Sequence, residues 1–65
     1  MKKKLHSDSH LIDLLGGTAA LAKVFNISLP AVSKWRTEGI PDGRMMYLEI
    51  KYKNIIKKFR EENND

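Results

Sequence analysis

The chain contains no cysteine, so neither a disulfide framework nor a thiolate metal site can supplement its core. No apolar stretch approaches the ~20 residues needed to span a bilayer. Met1-Lys2-Lys3-Lys4 looks like the basic start of an export signal, but His6-Ser7-Asp8-Ser9-His10 interrupts before any apolar segment forms. A cytoplasmic location is therefore expected. There is no glycine-rich phosphate loop and no carboxylate pair in a plausible pocket. Ser7, Asp8 and His10 are residue types used in nucleophile relays, but they crowd into one short polar segment and cannot be preorganised. His6 and His10 stand four apart, the spacing of two metal ligands on one helix, yet no second ligand pair accompanies them. No enzyme activity, cofactor, metal or small-molecule ligand is expected.

What is present fits one small domain. Sixty-five residues leave no room for a second. A chain of this size buries only about 60% of its unfolded surface, and dimerisation is one way to bury more. Hydrophobic residues at 42% and charged residues at 31% belong to a folded soluble domain, not a disordered one. The net charge of +4 favours a polyanionic partner, either nucleic acid or an acidic membrane surface. Acidic residues are also unevenly placed, with none between Asp13 and Glu38.

Residues 1–8 read as a flexible basic arm, residues 9–61 as the folded domain and residues 62–65 as a frayed acidic tail. Lys2, Lys3 and Lys4 in the arm could track a nucleic-acid backbone or only be solvated. Ser9 caps a short helix carrying Leu11, Ile12, Leu14 and Leu15, which Gly16-Gly17 stops. A second helix starts at Thr18 as N-cap and runs to Phe25, with Leu21, Val24 and Phe25 on one side. Asn26 tolerates positive φ and supplies a sharp turn. Ser28 caps a third helix, Pro30 falls in its first turn, and it ends near Glu38-Gly39. Further on, Met45, Leu48, Tyr52, Ile55 and Phe59 fit a helical period, while Met46, Leu48, Ile50 and Tyr52 fit a strand. No turn signal divides that segment into a hairpin. The expected fold is therefore all-α, five short helices with a helix-turn-helix; the alternative is α+β with a small C-terminal β-ribbon.

Residues 18–37 follow the helix-turn-helix plan of two short helices joined by a tight turn. Ala22 is small where the second helix must cross. Leu21, Phe25, Ile27, Val32 and Trp35 pin the pair to a core, and the spacing of Trp35 from Val32 makes it a packing residue, not a base-stacking platform. With Val32 and Trp35 inward, Leu29, Pro30, Ser33, Lys34 and Thr37 face outward, with Arg36 at the flank. That face is small, polar and basic, suited to a major groove about 12 Å wide. Lys51, Lys53, Lys57 and Lys58 read as a solvated helix face.

Gly17-Thr18-Ala19-Ala20-Leu21-Ala22-Lys23, then Ala31-Val32-Ser33-Lys34-Trp35 and Gly39-Ile40-Pro41, resemble the phage Cro repressors and equally their YdaS-like prophage relatives. The similarity covers roughly residues 11 to 50, including Tyr47-Leu48-Glu49-Ile50. Asn26 departs from the glycine usual at the family's turn. Pro30 stands where the family often carries a polar, base-contacting residue. The resemblance implies a sequence-specific repressor that binds a pseudo-palindromic duplex operator as a weak homodimer in the cytoplasm of a bacterial host.

Geometry and resemblance together place Ser33 and Lys34 at base edges, Lys34 on guanine O6/N7, with Leu29 and Pro30 in apolar contact with a thymine methyl. Thr18, Lys23, Ser28, Arg36 and Thr37 are the expected phosphate contacts, and Arg44 is a further candidate. Met45, Met46, Tyr47, Ile50, Tyr52 and Ile56 are the expected dimer surface. A competing expectation is an antitoxin-like or other protein-binding module that uses the apolar C-terminal half.

Overall fold

A computed structural model of the chain describes residues 4–62. It contains five helices in the order α1 (Asp8–Leu14), α2 (Thr18–Phe25), α3 (Leu29–Glu38), α4 (Asp42–Lys51) and α5 (Lys53–Glu62). The described residues include no strand, so the fold is all-α and the β-ribbon alternative falls away. In the ambiguous C-terminal segment the helical period wins because Leu48, Ile56 and Phe59 can all turn inward at once. Tyr52 divides α4 from α5 with φ −121° and ψ 44°.

The helix starts follow from local chemistry, with two shifts from expectation. Helix α1 begins two residues early, behind Ser7, with the Asp8 carboxylate in its first turn where the helix dipole favours negative charge. Ser9 is thus not the cap but a buried residue of the helix. Gly17 and not Thr18 takes the N-cap position of α2, since its φ of 97° suits glycine. Helix α3 starts as expected, with Ser28 Oγ accepting from the Ala31 N–H at 3.3 Å and Pro30 in the first turn. Between α2 and α3, Asn26 adopts the left-handed conformation at φ 54°, and the Ile27 N–H donates to the Ala22 carbonyl at 2.9 Å.

Leu11, Ile12 and Leu15 of the α1 segment, Leu21 and Ala22 of α2, Val32 and Trp35 of α3, and Ile40 form one side of the core. Leu48, Ile56 and Phe59 close it from α4 and α5, with Phe25, Ile27, Met45 and Tyr52 packed around them. Helix α1 lies at the centre, against α2, α3 and α5. Helix α5 packs on α1 and α4 and leaves α3 clear, so α3 is covered on one side only.

The basic arm is shorter than expected. The His6 N–H donates to the Arg36 carbonyl at 2.7 Å, and Asp8 Oδ2 accepts from the Ile40 N–H at 2.9 Å. The His6 ring lies so close to Gly39 that a Cβ there would stand 3.0 Å from Nε2. His6 and Asp8 therefore staple the chain start to the end of α3. Lys2 and Lys3 lie outside the described residues, and Glu62, expected in the tail, still belongs to α5.

Backbone strain at the α2–α3 turn gives a test. Asn26→Val should lose about 1–2 kcal/mol in urea unfolding, because a β-branched residue resists the left-handed region. Asn26→Gly should stay within about 0.5 kcal/mol of the parent.

Candidate nucleic-acid interface

The outward face of α3 is set by what its inward face is tied to. Val32 is fully buried, and Trp35 meets Phe25 of α2 edge-on with ring centroids 5.7 Å apart. Phe25 in turn meets Tyr47 of α4 edge-on at 5.3 Å. This aromatic chain fixes the register of α3 against α2 and α4. Leu29, Pro30, Ser33 and Lys34 are consequently exposed along one face, with Thr37 half-buried in the same register. Leu29, Pro30 and Ser33 join Thr18 and Ala19 to line a shallow notch between α3 and the start of α2. Ala19 was missed in the sequence because an alanine early in a helix carries no chemical signal of its own.

Hydrogen bonding separates the expected phosphate contacts into two groups. Thr18 Oγ1 accepts from Arg36 Nε at 2.9 Å, and Ser28 Oγ accepts from the Ala31 N–H; both hydroxyls keep their proton free to donate. Thr37 Oγ1 instead donates to the Lys34 carbonyl at 3.1 Å, so its only donor is engaged inside α3. Lys23 is exposed at the last turn of α2.

Arg36 is more than a flank residue. Its guanidinium reaches Thr18 of α2, the carbonyl and Oγ of Ser9 in α1 at 3.1 and 2.9 Å, and Asp13 Oδ1 at 2.8 Å. The side chain is only 22% exposed. Its donors are largely committed to this clamp, which makes Arg36 a framework residue in place of the expected phosphate contact. Arg44 is exposed, with its guanidinium 4.9 Å from the Phe25 ring centroid, where it covers the corner between α2 and α4.

The two acidic residues that bound the acid-free stretch are both paired. Asp13 is held by Arg36, and Glu38 Oε1 lies 4.0 Å from Lys34 Nζ on the exposed surface. The Lys34–Glu38 pair is solvated and weak, so Lys34 can leave it at little cost.

The expected dimer surface is smaller than the sequence implied. Ile56 is buried because α5 folds back against α1 and α4 and turns it inward, and Met45 and Tyr52 pack against the core. Met46, Tyr47 and Ile50 of α4 remain exposed, Ile50 by 82%. Ile50 borders a groove that also contains Ile56, Phe59, Lys53 and Lys57, with the Glu49–Arg60 ion pair along it.

Among the described residues no group of three or more His, Cys, Asp or Glu side chains is placed to hold a metal ion. No described helix is long and apolar enough to cross a membrane. No protein-family model, curated protein or solved structure matches the chain.

The clamp yields a stability test. Arg36→Ala should cost about 2 kcal/mol in urea unfolding, since it leaves buried Ser9 without its partner. Arg36→Lys should recover only part of that, because one ammonium cannot reproduce the planar fork. Asp13→Asn, at the exposed end of the clamp, should cost less than about 1 kcal/mol.

Proposed function

We propose that this chain is a sequence-specific, double-stranded DNA-binding repressor of the phage Cro type, acting in a bacterial host as a weak dimer on a pseudo-palindromic operator. The observation that carries the reading is the exposed face of α3, small, polar and basic, inside a stretch free of acidic residues between Asp13 and Glu38. Such a face enters a major groove without repelling phosphate.

Each residue then has a role set by its remaining chemistry. Ser33 and Lys34 meet base edges, with Lys34 directed to guanine O6/N7. Thr18 and Ser28 donate their free hydroxyl protons to phosphate oxygens, and Lys23 adds positive charge. Arg36 holds Thr18 in place and leaves direct phosphate contact to these three. Repression is by occupancy. Two recognition helices occupy successive major grooves about 34–36 Å apart and exclude the transcription machinery.

The exposed Met46, Tyr47 and Ile50 favour a protein contact at α4. In the repressor reading that contact is the second copy. In the competing reading it is a foreign protein, and the domain is an antitoxin-like module.

Selection of duplexes from a random pool separates the two. The repressor reading expects an enriched pseudo-palindrome with half-sites about one helical turn apart. It also expects log affinity to fall with log salt by about 0.9 per phosphate contact. Lys34→Ala should flatten the preference at one base pair per half-site, a loss of about 1–3 kcal/mol of discrimination, measured by competition binding. Ile50→Glu should weaken binding to the palindrome and leave binding to an isolated half-site unchanged. No enriched sequence and no binding to duplex DNA would turn the assignment to the protein-partner reading.

A further inference from the structure

We propose that Glu38 is a specificity-determining residue, whose carboxylate disfavours the Lys34 ammonium on DNA phosphates and tolerates it on a base edge. The proposal rests on the DNA-binding reading and adds a residue to that site.

Glu38 is the wrong residue for the helix it ends. It is the last residue of α3 and the only acidic one in that helix. The C-terminal end of a helix carries partial negative charge, so a carboxylate there costs stability that a basic or neutral side chain would not. Its side chain is 53% exposed, so core packing does not require it either. Such a conflict between a residue and its local structure marks functional positions. What Glu38 does reach is Lys34, one turn earlier, with Nζ 4.0 Å from Oε1.

An exposed lysine on a recognition helix has two kinds of DNA partner. Phosphates are charged, occur at every sequence and drive nonspecific binding. Base edges are neutral and carry the sequence. The carboxylate answers the two differently. An ammonium that turns to a phosphate brings an anion toward Glu38, and the like charges repel. An ammonium at guanine O6 and N7 uses at most two of its three donors, keeps one for Glu38 and adds no anion. The pair itself is weak in solvent, and the filter needs only this difference between its two settings.

The probes are the highest-affinity duplex recovered from a random pool and a scrambled duplex of the same length and composition. Glu38→Gln should bind the scrambled duplex about fivefold tighter and stay within about twofold of the parent on the selected one. Its salt dependence on the scrambled duplex should steepen by about 0.9 for each copy bound, one added phosphate contact. Its melting temperature should equal or exceed the parent's, since an unfavourable helix-end charge is gone. On a Lys34→Ala background the same substitution should change scrambled-duplex binding by less than about twofold. Glu61→Gln, which removes the same charge from α5, should leave the ratio of the two affinities unchanged. The proposal is overturned by an unchanged ratio in Glu38→Gln, or by an equal change in Glu61→Gln, which would reduce the effect to net charge. A loss of discrimination confined to one base pair also overturns it, since Glu38 would then be a base contact. In all three cases the DNA-binding reading stands. If the parent binds neither duplex, that reading fails and the proposal fails with it.

Discussion

The arrangement of the first three helices depends on one guanidinium. Arg36 lies 18 residues from Thr18 and 27 from Ser9, and it brings both hydroxyls to a single planar group. Apolar packing alone leaves helices in a small core some freedom to slide, since burial is non-directional. A fork of N–H donors has fixed directions and removes that freedom. The same group neutralises Asp13, the nearest acidic residue before α2. One side chain thus ties α3 to α1 and α2 and neutralises the acidic residue nearest the start of α2.

Much of the helix-turn-helix was legible in the sequence because its signals are local. Ser28 before Leu29-Pro30 marks a helix start, Asn26 marks a left-handed turn, and Val32 with Trp35 marks an inward face. Each of these works over a few residues, the range over which periodicity and capping carry information. The clamp was not legible, since nothing near Arg36 in the chain names Ser9 or Asp13 as its partners. For the same reason Thr18 read as a cap, when its hydroxyl is in fact turned toward another helix. The C-terminal half was only half legible. Its apolar residues support two periods at once, and the break at Tyr52 uses no glycine, proline or asparagine that would announce it. Ile56 looked available for a partner because the sequence does not say that α5 folds back over α1 and α4.

The resulting molecule has two distinct surfaces. On one side α3 and the start of α2 present small and basic groups with two hydroxyl protons free. On the other, α4 and α5 present Met46, Tyr47, Ile50 and a groove edged by lysines. Since α5 is placed against α1 and α4 and its backbone stays away from α3, a partner on the second surface does not obstruct the first. The proposed repressor needs that separation, because in it the dimer contact and the DNA contact are occupied together.

The central claim is that the outward face of α3 is where duplex DNA binds, and amide chemical-shift mapping during titration with a selected duplex tests it most directly. The account predicts that the largest shifts fall on Thr18–Ala20 and Ser28–Thr37, with α5 unmoved and α4 shifted only around Ile50, where the dimer contact forms. Shifts concentrated on α4 and α5, with residues 28–37 unchanged, would contradict it.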